Sequence, residues 1–173
     1  MEKFALLATR DTKKFTSQIA VRKKILEKRA VLFVDDEEIT LQALKRSLND
    51  EVYDKFFAKS GKEALDILRQ KEVHVIVVDM IMPGMDGLEL LKIISKEYPK
   101  VVSIALSGFT QPIDVITTIY GEGVYKFTSK SLTVDDGLRE IIRRAINNYD
   151  FQSEHEEMVA ELDHRSSRQI TTE

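Results

Sequence analysis

Short apolar runs alternate with helical apolar repeats through the middle of this 173-residue chain, and the alternation predicts its fold. Five runs have the length and the β-branched content of strands: Val31–Val34, Val52–Ala58, Val73–Val78, Val101–Leu106 and Val124–Thr128. The third is nearly continuous in Val and Ile, which is typical of a central strand covered on both faces. The pattern therefore predicts a sheet with a buried centre.

A segment with helical spacing follows each of these runs. Ser60 and Glu63 form a capping box that opens the second helix. The helices are predicted at Ile39–Leu48, from Gly61 through Leu68, at Leu88–Lys96, at Pro112–Tyr120 and from Thr133 to about Arg165. Five strand–helix units predict an α/β fold, a doubly wound five-stranded parallel sheet in the flavodoxin-like order 2-1-3-4-5.

The net charge of −3 conceals a strong asymmetry, because residues 1–30 carry +6, residues 31–149 carry −4 and residues 150–173 carry −5. All Gly and Pro residues lie between Gly61 and Gly137, so turns are confined to the middle. We expect a basic amphipathic helical arm over residues 1–29, a compact domain over 30–149, and an acidic helical tail over 150–173 that continues the last helix of the domain.

Absent residue types exclude several kinds of protein. The chain has no Cys, which removes disulfides, thiolate metal sites and Cys nucleophiles and favours a reducing, cytoplasmic setting. It has no apolar run long enough to span a membrane. Gly-rich phosphate loops and hydrolase nucleophile motifs are also absent.

Charged and hydroxyl side chains end four of the predicted strands. Asp35 and Asp36 follow the first, Asp79 the third, Ser107 the fourth and Lys130 the fifth. Because strands one and three are neighbours in the predicted order, three carboxylates would crowd one cleft, which is costly unless a cation neutralises them. Oxygen ligands in an open site favour Mg²⁺. The hydroxyl and the ammonium on the same rim could then hold phosphoryl oxygens.

At these residues the chain resembles the receiver domain of bacterial two-component response regulators. The matching segments are Val31–Glu37, Asp79–Gly87, Ala105–Gly108 and Phe127–Lys130, and they lie within residues 30–149. Each motif alone is weak, but all five active positions match in order and spacing.

The resemblance implies how the acidic residues act. Asp79 would accept a phosphoryl group from a phosphohistidine of a sensor histidine kinase or a phosphotransfer protein. The ion, Mg²⁺ or Mn²⁺, would be held mainly by Asp36, partly through water by Asp35, and by Asp79 and the backbone carbonyl of Ile81.

The resemblance also implies a switch. Lys130 would pair with the phosphoryl group, Ser107 would turn toward it, and Phe127 would change rotamer with Ser107. These movements would alter the face formed by the fourth helix, fifth strand and fifth helix, and so the binding of a downstream protein. Such a chain is a self-phosphorylating signalling switch and not a turnover enzyme.

Two apolar residues bear on the lifetime of the phosphoryl group. Ile81 and Phe109 lie two residues beyond Asp79 and Ser107, positions that in receivers border the path of the attacking water. Neither side chain can orient water, so we expect slow self-dephosphorylation. The alternative, that both residues simply cover the site, has equal weight.

Ser131 departs from the family pattern, since receivers typically carry Pro after the Lys, often with a cis peptide bond. A cis bond before a non-proline residue costs ~2.5–4 kcal/mol. A trans bond would leave Lys130 less firmly placed, so a degenerate receiver that is not phosphorylated and acts as an interaction or dimerisation scaffold is the alternative function. Retention of all three acids favours the active form.

Three interpretations compete for the two ends. The basic arm could pack on the acidic tail, within or between chains; it could bind nucleic acid or an anionic membrane surface; or both ends could be frayed. We favour the first, narrowly over the third. A homodimer, formed through the arms or through the face of the fourth helix, fifth strand and fifth helix, is a separate candidate assembly. Nucleic acid ranks last because aromatic residues are sparse and no recognition helix pair is evident.

Overall fold

A computed structural model describes residues 29–108, 123–130 and 136–170 of the chain. It has five strands, β1 (Ala30–Val34), β2 (Asp54–Ala58), β3 (Val75–Asp79), β4 (Val102–Ser107) and β5 (Val124–Ser129). Its helices are α1 (Glu38–Ser47), α2 (Gly61–Gln70), α3 (Gly87–Glu97) and α4 (Asp136–Ile170). The arm over residues 1–28, the helix predicted at 112–120, Phe109 and Ser131 lie outside the described residues.

The five strands form one all-parallel sheet in the order β2-β1-β3-β4-β5, which confirms the predicted topology. β1 lies between β2 and β3, with Val34 paired to Ala58 on one side and to Val78 on the other. On the far side of β3, Asp79 pairs with Leu106 of β4. Parallel pairing brings the carboxyl ends of all five strands to one edge of the sheet.

Alternate residues of the central strands pack into two separate hydrophobic clusters, one on each face of the sheet. Leu32 of β1 and Ile76 of β3 point into a cluster completed by α2 and α3, whereas Phe33 of β1 and Val77 of β3 point into a cluster completed by α1 and α4. Both faces of these strands are fully buried. The near-continuous apolar runs are therefore explained, because a parallel sheet with helices on both sides has no solvent-facing side.

Side-chain caps begin two of the helices. The Ser60 hydroxyl accepts a hydrogen bond from the N–H of Glu63, as the capping box predicted, and the Glu63 carboxylate accepts one from the N–H of Lys59. The Asp86 carboxylate accepts a hydrogen bond from the N–H of Glu89 and so caps α3. α3 begins eight residues after Asp79, at the edge where the strands end.

α4 is the longest helix, with 35 residues. Its first turns pack Leu138, Ile142 and Ile146 into the core beside α1. Farther along, Phe151 and Met158 are exposed. The predicted end near residue 165 was a few residues short, since the helix continues to Ile170. None of the helices in the described part of the chain is long and apolar enough to cross a membrane.

Candidate functional site

Three carboxylates meet at the carboxyl edge of the sheet. Asp35 and Asp36 follow β1 directly, and Asp79 is the last residue of β3. One carboxylate oxygen from each lies within 4.8 Å of the others. Asp35 and Asp79 are buried, whereas Asp36 is exposed. The structure thus brings together the three acids that the sequence placed in one cleft, with the exposed carboxylate at its mouth.

Lys130, directly after β5, reaches into this acidic cluster. Its Nζ lies 2.8 Å from Oδ2 of Asp79 and 2.9 Å from Oδ2 of Asp35. Glu37 stands farther out, with Oε2 at 3.6 Å from the same nitrogen. The lysine side chain is 20% exposed, so the ammonium sits at the boundary between the core and solvent.

Burial and charge act against each other in this cluster. Burial raises the pKa of Asp35, and the hydrogen bonds from Lys130 and from the backbone N–H of Glu37 only partly offset it. For Lys130, burial acts to lower the pKa, but hydrogen bonds to Asp79 and Asp35 outweigh it and hold the pKa above its ordinary value. The ammonium therefore stays charged and neutralises one of the three carboxylates.

The carboxylates are oriented by backbone groups. Oδ1 of Asp35 accepts a hydrogen bond of 2.9 Å from the N–H of Glu37, and Oδ1 of Asp79 accepts one of 3.3 Å from the N–H of Ile81. Oδ2 of Asp35 is buried, and its close contact among the described residues is the ion pair with Lys130. A buried carboxylate oxygen with spare acceptor capacity, beside two more carboxylates, fits a hard divalent cation.

Gly87 allows the loop after β3 to close against that strand. A Cβ at this position would stand 2.3 Å from the carbonyl oxygen of Asp79 and 2.6 Å from Cα of Met80. The N–H of Gly87 donates a hydrogen bond to the carbonyl of Met80, and Gly84 in the same loop has a φ of 77°. The backbone carrying Asp79 is thus held in place by a contact that only glycine permits.

The residues assigned to the switch lie on β4 and β5, next to the cluster of three carboxylates. Ser107 is buried at the end of β4 and is in register with Ser129 of β5. Phe127 is half-buried and packs against the cluster of α2 and α3. Ile81 has a 57% exposed side chain. The movements of Ser107 and Phe127 and the ligand role of the Ile81 carbonyl stay predictions, as does the role of Phe109.

Sequence reasoning assigned no role to Glu37, although its backbone orients Asp35 and its carboxylate faces Lys130. Its position directly after Asp35 and Asp36 was the sequence signal that it lies at the same edge of the sheet. His74, just before β3, is buried, and its Nδ1 accepts a hydrogen bond from the N–H of Ala30.

Comparisons with known proteins agree with this geometry. Residues 31–156 match the family model of the response regulator receiver domain. A hydrogenase transcriptional regulatory protein, HoxA of Cupriavidus necator, is 35% identical over 132 residues, covering 76% of this chain and 27% of that protein. The DNA-binding transcriptional regulator NtrC of Klebsiella pneumoniae is 31% identical over 121 residues, covering 70% of this chain and 25% of that protein.

A solved structure is similar over nearly its whole length. The signal receiver domain of an HD domain-containing protein from Pseudomonas fluorescens Pf-5 superimposes with a TM-score of 0.66 at 31% identity, covering 71% of this chain and 98% of that one. The curated relatives are three to four times longer than the part of them that this chain matches. The matched part is the receiver, and the chain belongs to the response regulator receiver domain family of two-component signalling.

Proposed function

We propose that the chain is a phosphoacceptor switch in which Asp79 takes a phosphoryl group from a phosphohistidine. The donor would be a sensor histidine kinase or a phosphotransfer protein, and we place the reaction in the cytoplasm with such a donor. The observation that carries the proposal is the meeting of Asp35, Asp36 and Asp79 with the ammonium of Lys130 between two of them.

Asp79 is the nucleophile in this proposal. A carboxylate oxygen attacks phosphorus, the bond from phosphorus to the donor's imidazole nitrogen breaks, and the imidazole leaves with that electron pair. Asp35, Asp36, Asp79 and the carbonyl of Ile81 would hold Mg²⁺ or Mn²⁺. When bound, this ion neutralises charge on the transferred group.

Lys130 would move from one partner to another. In the described state its Nζ contacts the carboxylates of Asp79 and Asp35. Once the Asp79 oxygen carries a phosphoryl group, that group offers stronger acceptors to the same ammonium and to the Ser107 hydroxyl. Movement of Ser107 would free space for Phe127, and the altered face would be read by a downstream protein.

The phosphoryl group would be lost slowly, so the chain acts as a switch and not as a turnover enzyme. The exposed Ile81 side chain stands two residues from Asp79 and carries no group that could orient water. Replacement by Gln supplies such a group. We expect Ile81→Gln to shorten the half-life of the phosphorylated protein, as followed by intact mass after removal of the donor.

Incubation with a small acyl-phosphate donor and Mg²⁺, followed by intact mass, tests the proposal. We expect one phosphoryl adduct that depends on Mg²⁺ and is lost in Asp79→Asn. The exposed Asp66, which pairs with Arg69 on α2, provides the matched control, and Asp66→Asn should retain the adduct. No adduct on the wild-type chain would favour the alternative function, a scaffold that is not phosphorylated. Ser131, which stands where the family typically has Pro, is the sequence feature that supports this alternative.

A further inference from the structure

The outer part of α4 exposes large apolar side chains. Phe151 is 71% exposed, Met158 61% and Val159 44%. Phe151 and Met158 are seven residues apart, or about two helical turns, so they share one side of the helix, and Val159 lies beside them. Large apolar side chains exposed together on one side of a helix are typical of an interaction surface. We call this set of side chains the α4 strip.

The charge around the α4 strip limits what can cover it. Residues 150–164 hold six Asp or Glu and no Lys or Arg. A second copy of α4 alongside the first would bring two acidic helices together, and like charges repel. The favoured occupant is therefore an amphipathic segment that is basic.

Such a segment exists in the same chain. Residues 1–28 hold eight Lys or Arg and three Asp or Glu. Phe15, Ile19 and Leu26 are spaced by four and seven residues, which in a helix places them on one side. The sequence therefore offers a basic partner with an apolar side of its own.

Arg29 joins this arm to the start of the α4 strip. Its Nη2 lies 2.6 Å from Oδ1 of Asp150, its Nε donates to the same oxygen, and its guanidinium lies over the ring of Tyr149, 5.3 Å from the centroid. The two residues are 121 positions apart in sequence. The arm therefore enters the domain beside the point at which α4 leaves it.

The geometry points to residues 1–28 of the same chain as the segment that covers the α4 strip, in an antiparallel helical pair. The arm runs toward Arg29 while α4 runs away from Asp150, so an arm that lies along α4 is antiparallel to it. Counting outward from the Arg29–Asp150 ion pair, Lys23 and Lys24 would stand beside the acidic stretch that begins at Glu154, in which Glu156 also pairs with Lys100 of the domain. This inference is independent of phosphorylation.

Distance measurement by pulsed electron spin resonance tests the pairing in the full chain. Because the chain has no Cys, spin labels attach only where Cys is introduced. Ser17→Cys and Ala160→Cys lie twelve and ten residues outward from the ion pair. With both labels we expect one narrow distance of roughly 15–30 Å, since packed helices lie 8–10 Å apart and the labels add their own length. A broad distribution reaching longer distances would overturn the proposal.

A protein labelled at Ala160→Cys alone separates one chain from two. We expect no short distance from it, because each molecule then holds one label. A short distance would show that a second copy covers the α4 strip and would overturn the proposal.

Apolar and charge contributions are tested on the doubly labelled protein. Phe151→Glu with Met158→Glu should broaden the distance, whereas Gln152→Glu, which adds charge at an exposed polar position, should broaden it far less. High salt should weaken the pairing, because it screens exposed charges. A distance unchanged by Phe151→Glu with Met158→Glu would also overturn the proposal.

Discussion

The Nζ of Lys130 lies 2.8 Å from Oδ2 of Asp79, so the residue directly after β5 is ion-paired with the residue that ends β3. The intervening strand, β4, contributes Ser107 at the same edge. In the described state the lysine therefore serves as the cation of the acidic cluster, and any ion or phosphoryl group that enters competes for the same carboxylate oxygens.

Replacing Lys130 by Met should destabilise the metal-free protein by ~1–3 kcal/mol, the cost of leaving a buried polar partner unsatisfied. The substitution leaves the buried carboxylates of Asp35 and Asp79 without their shared cation. Added Mg²⁺ should recover much of the loss, because a divalent cation neutralises the same groups. Urea unfolding with and without Mg²⁺ measures both effects.

Lys126 provides the control for this prediction, since it is exposed on the same strand. Lys126→Met removes the same charge from β5 and should change the free energy of unfolding by less than ~0.5 kcal/mol. An equal loss in Lys130→Met with and without Mg²⁺ would contradict the expected competition between the ion and the ammonium for the same carboxylates.

Gly87→Ala should destabilise the protein by ~1–3 kcal/mol and slow phosphorylation of Asp79. Helix propensity alone predicts the opposite sign, since Ala is favoured over Gly in a helix by up to about 1 kcal/mol. The added methyl group would meet the Asp79 carbonyl at 2.3 Å and must displace the backbone that carries the nucleophile. Unfolding and the rate of adduct formation are the measurements.

Gly108 is the comparison for that substitution, because a Cβ there would approach a described atom only at 3.9 Å, namely Cδ of Lys130. Gly108→Ala should be nearly neutral for stability. If Gly87→Ala raised stability, the close approach would not exist in solution.

The titration of His74 should lower the free energy of unfolding of the protein in mild acid. Burial, and next the charge of Arg29, lower the pKa of this imidazole below its ordinary value, while Glu72 and Asp150 act weakly in the other direction. As pH falls below about 6.5, His74 binds a proton in the unfolded chain but stays neutral in the folded protein. The free energy of unfolding therefore declines, by at most ~1.4 kcal/mol per pH unit for one proton.

The measurement is urea unfolding from pH 7.5 down to pH 5. In His74→Asn the amide oxygen can replace Nδ1 as the acceptor for the N–H of Ala30, and the titrating group is gone. The decline of the wild-type protein should be steeper than that of the variant. Parallel pH profiles would contradict the prediction.

Glu51, in the loop between α1 and β2, should contribute far more to the free energy of unfolding than the exposed Glu140 of α4. The Glu51 carboxylate is buried and lies 2.9 Å from Arg139 and 2.8 Å from Arg143, which fastens α4 to the loop between α1 and β2. Glu51→Gln should cost ~1–3 kcal/mol. Glu140→Gln, which removes an exposed pair with Arg144, should cost no more than ~0.5 kcal/mol; equal costs would contradict the prediction.

The sheet and the acidic cluster could be predicted because both follow from local patterns. A run such as Val75–Val78 has no polar residue to place in solvent, so it must be central, and Asp79 then falls at the carboxyl edge with Asp35 by topology alone. The strand ends were accurate to within about two residues for this reason.

Contacts that depend on the rotation and spacing of elements could not be predicted. The close approach of Gly87 to the Asp79 carbonyl is a property of two backbones in space. The pairs Glu51–Arg143 and Arg29–Asp150 join residues about 90 and 120 positions apart, and they depend on which side of α4 faces the core. Charge counts showed only that opposite charges were available.

α4 is a single helix that is part of the hydrophobic core at Leu138 and solvent-exposed at Phe151. A straight helix of 35 residues measures about 50 Å, at 1.5 Å per residue. The pairs of Glu51 with Arg139 and Arg143 hold its first turns against the domain, and the Arg29–Asp150 ion pair holds it about two turns farther along. A small tilt of this helix, one that leaves the packing of the core intact, would therefore move its C-terminal end by several ångströms. A local rearrangement in the domain would in this way become a displacement large enough to change the binding of another molecule.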